Sequence, residues 1–242
     1  MSTMYPGFFD QHQRSMQSEQ LSGVWNAIVT DNKDPDKLGR VKVKFPLREG
    51  ELQTEWVRVA TLMGGSDMGS LFLPEVNDEV LVAFLMGRLD QPIVIGSLWS
   101  KKQKPPEPND KNDIRKIKTK TGHEITFDDT SSAGTVTIKT SKGHHITFAD
   151  KEKTVTVETQ DKQQSIKLDE TGKKVTIKCG TTSTIEMNGQ GDIKVTGTKS
   201  VTVKGTQVKV EADASLTLQS NGMLEVKATG ILSLKGAMVK IN

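Results

Sequence analysis

Four histidines, one cysteine and two pairs of adjacent acids are the side chains of this 242-residue sequence best equipped for catalysis or metal binding. His12 lies near the N-terminus, while His123 and His144 occupy equivalent places in an internal duplication, with His145 directly after. If copies of the chain assembled around a three-fold axis, rings of His123 and His144 could hold a metal or an anion. However, His144 and His145 are neighbours in a strand-like run and point to opposite faces. These histidines are read as turn or surface residues, and no metal or cofactor is expected. Cys179, followed by Gly180, can form neither an intrachain disulfide nor a cysteine zinc site, and no histidine has a convincing nucleophile partner. Asp128-Asp129 and Asp169-Glu170 would need a cleft that raises one carboxyl pKa before they could act as acid and base. In loop-like surroundings they read as solvated turns. No catalytic residue is expected, and the chain is not read as an enzyme.

The elements carrying these residues divide the sequence in two. The composition, 34% hydrophobic and 26% charged, suits a folded soluble protein. No window approaches the roughly 20 apolar residues of a bilayer helix. Met1 to Gln20 holds no apolar core of a secretory signal, so synthesis in the cytoplasm without a signal peptide is expected. Net charge is +3, with 12 basic and 13 acidic residues up to Lys104 and 21 and 17 after it. Neither part is a polycation. All three tryptophans, the one tyrosine and all eight prolines fall before residue 109; beyond it the only aromatics are Phe127 and Phe148.

Residues 1–22 are polar and aperiodic and read as an arm. Residues 23–99 then hold five short strand-like runs, Val24 to Thr30, Arg40 to Phe45, Trp56 to Leu62, Val80 to Met86 and Ile93 to Leu98, separated by turn formers. Gly64 to Gly69 reads as a flexible connection. Five such strands suit a small closed barrel of the OB type. Trp25, Trp56, Phe84 and Trp99 sit in apolar strand patterns and are expected in its core, with a stacking surface for nucleic acid as the alternative. The Arg40, Lys42, Lys44 stripe reads as a solvated strand face.

Residues 100–113, charged and proline-rich, form a linker. Over 114–242 the chain repeats a unit of two apolar residues flanking a polar one, fourteen times from Ile125 to Val239. The spacing tightens from 9–11 residues to a near-strict octad. Thr121-Gly122-His123-Glu124-Ile125-Thr126-Phe127 recurs 21 residues later as Lys142-Gly143-His144-His145-Ile146-Thr147-Phe148. Alternation of period two excludes helix and gives each unit one narrow apolar edge. Three chains wound together would join those edges along one axis and give every strand a neighbouring chain to bond with. The expected fold is therefore all-β, an N-terminal OB-fold barrel followed by a C-terminal intertwined trimeric β-helix. The expected trimer core is Val201, Val203, Val208, Val210, Leu216, Leu218, Leu224, Val226, Leu232 and Leu234. Fourteen units advancing about 4.8 Å each make a rod on the order of 65 Å long.

Four ordered runs now carry a resemblance: Leu38-Gly39-Arg40-Val41-Lys42-Val43, Thr54-Glu55-Trp56-Val57-Arg58-Val59, Phe72 to Val82 and Pro92 to Trp99. Together with the octads they resemble the central spikes of contractile injection systems, the phage baseplate protein V group and the VgrG proteins of type VI secretion. The resemblance implies a homotrimeric spike incorporated into a phage tail, an extracellular injection particle or a secretion apparatus, which pierces a target membrane when a sheath contracts elsewhere. It implies a separate hub or baseplate protein met at the OB end and by the arm. It also implies a blunt end at Met238, Val239, Lys240, Ile241 and Asn242 for a small PAAR-type tip protein. Against this stand two other classes, an OB-fold nucleic-acid-binding protein and a β-helical carbohydrate-binding adhesin. The adhesin would want aromatics on the exposed rod, and none follows Phe148.

Overall fold

The computed structural model of the chain describes residues 23–46 and 53–241, so the arm, His12 and Asn242 lie outside the described residues. The chain divides into two compact units. One runs to Ser141 and includes Thr147–Lys151; the other comprises Lys142–Ile146 and Glu152–Asn242.

The first unit opens with β1 (Val24–Asp31), β2 (Lys42–Lys44), β3 (Arg58–Val59), the two-residue strands β4 (Gly64–Gly65) and β5 (Met68–Gly69), then β6 (Glu79–Phe84) and β7 (Pro92–Leu98). Five of these form a sheet in the order β2-β1-β6-β7-β3, antiparallel except where β3 runs parallel to β7. Val41 and Val57 join the outer strands through two backbone hydrogen bonds of 2.9 and 2.8 Å. The sheet therefore closes into a five-stranded barrel with OB connectivity.

Alternate residues of each strand fill that barrel: β6 buries Val80, Val82 and Phe84, and β1 buries Ala27 and Val29. Val41, Val43, Val57 and Val94 complete the core. Of the aromatics expected in the core, Phe84 is buried there and the half-buried Trp25 packs against it, but Trp56 is half-buried outside that cluster and Trp99 is 71% exposed. A five-stranded barrel encloses a narrow interior that β-branched valines fill, which leaves these two indole rings outside it.

Arg40, expected on a solvated strand face, instead locks the long turn between β1 and β2. Its guanidinium reaches Asp34 at 2.7 and 2.8 Å and Asp36 at 2.5 Å. The segment read as a flexible connection is a small hairpin, β4 against β5. Its return depends on Gly69, whose φ of +144° and close approach to the Met63 carbonyl leave no place for a Cβ. The linker is tied down as well: Gln103 donates to Asp78 Oδ1 at 2.9 Å and to the Asn77 carbonyl at 3.2 Å.

The remaining strands are β8 (Ile114–Lys118), β9 (Glu124–Asp128), β10 (Thr135–Lys139), β11 (His145–Ala149), β12 (Thr154–Glu158), β13 (Gln164–Asp169), β14 (Lys174–Cys179), β15 (Ser183–Asn188) and β16 (Ile193–Gly197). In the first unit β8, β9 and β10 pair antiparallel in chain order, and in the second β12 to β16 do the same. The expectation that each strand bonds to another chain does not hold here, since the backbone pairs with its own neighbours. The turns make this possible. Repeats of nine to eleven residues accommodate a five- or six-residue strand and a reversal, as at Gly122 and Gly143 with φ of +90° and +94°. The eight-residue step from Ile185 to Ile193 still reverses, in the β15–β16 hairpin, and beyond it, among the described residues, no strand follows Gly197.

Candidate functional site

Antiparallel register converts the repeat into a surface. Residues directly opposite one another in a ladder project to the same face. In the first unit Ile117, Ile125 and Ile138 are aligned, as are Phe127 and Val136. In the second, Val157, Ile166, Ile177, Ile185 and Val195 form one row, and Val155, Leu168, Val175, Met187 and Ile193 a second beside it. The intervening positions carry polar partners such as Thr156, Lys167, Thr176, Glu186 and Lys194 on the opposite face. Each unit thus presents a band two apolar residues wide, and Phe127, Ile138, Ile166, Leu168, Ile193 and Val195 all remain exposed. A contiguous apolar face of this kind on a folded chain marks an interaction surface.

The same two-residue edge continues along the octads without intrachain strand partners. Val201, Val203, Val208, Val210, Leu216, Leu218, Leu224, Val226, Leu232 and Leu234 are between 51% and 76% exposed. Met238, Val239 and Ile241 are exposed too. The sequence reading gave every unit from Ile125 onward such an apolar edge but named only these octad positions as the trimer core; the longer repeats upstream carry the same band.

Residues with chemical potential do not converge. His123 and His144 keep equivalent roles: Nδ1 of each accepts a backbone N–H from the turn two strands further along, from Ser141 and from Gln160, both at 3.3 Å. His145 Nε2 lies 3.3 Å from Glu158 Oε2. Cys179 is exposed at the end of β14, opposite Gln164 and Ser183. The Asp128 carboxyl is lowered by the Thr130 side chain and backbone N–H, and that of Asp169 by the Gly172 N–H at 2.7 Å. Both shifts run opposite to the one a general acid requires. Among the described residues no three His, Cys, Asp or Glu side chains cluster to hold a metal, and no helix is long and apolar enough to cross a membrane.

A second surface lies on the barrel. Phe45, Trp56, Arg58, Phe84, Leu89 and Pro92 line an open groove of about 570 Å³, in which the Phe45 and Phe84 rings are 5.8 Å apart. Lys42 Nζ sits 5.2 Å from the centre of the Trp56 ring, a cation–π contact. Arg58 shares the lining with Glu55 and Asp90, so the groove's charge is mixed rather than a basic track for phosphates.

Comparison with known proteins agrees with this architecture. Residues 25–99 match the family model described as the type VI secretion system/phage-baseplate injector OB domain. Over 107 residues, 40% of this chain and 13% of the relative, the sequence is 39% identical to the type VI secretion system spike protein VgrG2a of Pseudomonas aeruginosa. It is 46% identical to the spike protein VgrG3 of Vibrio cholerae over 68 residues, 26% of this chain and 7% of that protein. It is also 32% identical to the actin cross-linking toxin VgrG1 of Vibrio cholerae over 112 residues, 43% of this chain and 10% of the relative. The matched region thus spans about a tenth of the length of these relatives. The chain carries the injector OB domain of type VI secretion spikes and phage baseplates, and its N-terminal region is VgrG-like.

Proposed function

We propose that this chain is the central spike of a contractile injection apparatus and works as a homotrimer without catalysing a reaction. Three copies bring their apolar bands together around one axis, and over residues 198–241 the octads of the three chains intertwine. A hub or baseplate protein holds the OB end, with the arm at residues 1–22 as part of that contact. A PAAR-type tip protein sits on Met238, Val239, Lys240, Ile241 and Asn242, and sheath contraction drives the assembly through the target envelope. The observation that carries this reading is the apolar band: it recurs along the repeats, and among the described residues its side chains stay half-buried or exposed. Burying it between copies removes apolar surface from water at about 25 cal/mol per Å². The spike proteins among the relatives support the same role.

Two observations weigh against other classes. The mixed charge around Trp56 disfavours nucleic acid, and the octads offer no aromatic platform for a sugar. Native mass measurement tests the proposal: a stable species near three times 26.5 kDa is expected, and a monomer would overturn it. For the tip, removing residues 235–242 should abolish capture of a PAAR-type protein while the trimer persists. Unchanged capture would reject that contact.

A further inference from the structure

The groove on the barrel has an occupant within reach. Val24, the first residue of β1, pairs with Ala83, one residue from Phe84, and Phe84 pairs with Pro92. The chain preceding β1 therefore leaves the barrel at the groove's own end. That preceding segment is uneven in composition. Met4-Tyr5-Pro6-Gly7-Phe8-Phe9 holds all three of its aromatics and no charge, whereas residues 10–22 are a polar spacer. Thirteen extended residues span up to roughly 43–47 Å, far more than the one or two strand spacings needed.

We propose that Met4–Phe9 of each chain docks into the groove of its own barrel, with Phe8 or Phe9 against Trp56 and Leu89. The chemistry matches on both sides. The groove wall is aromatic and apolar, and its charges are mixed: Arg88 binds Asp90 at 2.7 Å, and Glu55 lies 3.9 Å from Lys42. An uncharged aromatic hexapeptide fits such a wall better than a phosphate or an acidic peptide would. The volume of about 570 Å³ lies within the ~300–1,000 Å³ of ligand-sized pockets. Tethering raises the local concentration of the segment to the millimolar range, so modest intrinsic affinity suffices to fill the groove. Docked, the segment would become part of the barrel surface that any partner at this end meets. The inference does not depend on the spike role.

Photocrosslinking of the full-length chain tests it, with Phe8 replaced by p-benzoylphenylalanine. Crosslinks into Trp56–Arg58 or Leu89–Pro92 of the same chain are expected. Leu89→Asp should reduce their yield about tenfold, the scale set by removing one buried leucine contact. Crosslinks elsewhere, to a second chain, or of equal yield in Leu89→Asp would overturn the proposal. Amide exchange supplies an independent readout: the full chain should protect Trp56–Arg58 more than a chain lacking residues 1–9, and equal protection would also overturn it. Native mass reports separately on the trimer, so failure of one reading leaves the other standing.

Discussion

Asp34 and Arg40 form a two-pronged ion pair, with Nε and Nη2 of the arginine 2.8 and 2.7 Å from the two oxygens of one carboxylate. The Asp34 side chain is only 3% exposed, and it also accepts the backbone N–H groups of Asp36 and Leu38. One carboxylate thus fixes the whole turn that delivers the chain from β1 to β2. A planar guanidinium is needed for this geometry, because a lysine ammonium cannot engage both oxygens in parallel. Arg40→Lys should lower the thermal midpoint of the barrel by several degrees, whereas Lys37→Ala in the same turn should change it little. Calorimetry of the two variants checks the contrast.

The same pair sets an acid limit. The Arg40 side chain holds the Asp34 carboxyl well below the ordinary carboxylate range, and the turn N–H groups add to the shift. A depressed folded pKa contributes stability that is fully present above the unfolded value near 4 and is lost as pH falls below it. Asp34→Asn should therefore lower the midpoint at neutral pH and flatten the part of the decline below pH 4 that belongs to this group. Thermal melts across pH 2 to 7 follow both effects, and an unchanged acid limb would refute the assignment.

Core and rim should respond differently to truncation. Val82 is fully buried, and Val82→Ala should cost about 2 kcal/mol by leaving a cavity. Trp99 is mostly exposed, and Trp99→Ala should stay within about 0.5 kcal/mol. Urea unfolding followed by circular dichroism separates the two.

The barrel's existence and the places of its five strands were legible because valine-rich alternation is a local signal, although β3 is only Arg58–Val59 where Trp56 to Leu62 was expected. The place of Trp56 and Trp99 was not. Period two assigns Trp56 to a face but says nothing about the width of the space behind it, which depends on strand number and closure. Arg40 was misread for a similar reason: along the strand it alternates as a surface residue should, and only the path of the turn brings Asp34 to it. In the second half, the edge of each repeat could be read residue by residue. Whether Ile166 meets Ile177 of its own chain or a residue of another depends on reversal length, which the apolar pattern does not encode.

At the small hairpin, Gly69→Ala should be costly beyond its size. It would impose a strained φ and push against the Met63 carbonyl, which accepts the Ser70 N–H at 3.0 Å. A loss of about 1 kcal/mol or more is expected, with faster exchange of the Ser70 amide. Equal exchange in wild type and variant would show that the turn relaxes freely.

The apolar band predicts where association fails. Ile185→Asp places a charge in the middle of a row, and Val226→Asp places one on an octad. If the bands are buried between copies, each should shift the native mass toward the monomer. Lys167→Asp, on the opposite face of the same sheet, should not.

Among the described residues, Gly197 closes the last strand that draws its backbone partners from its own chain. Upstream, a solitary copy already protects its amides in a ladder. Downstream, an isolated copy has no such ladder, so its amides should exchange at rates near those of an open peptide until another molecule arrives. The change at this residue divides the chain by timescale: one stretch whose ordering is a first-order event, independent of concentration, and one whose ordering waits on encounter and so accelerates as more copies are made.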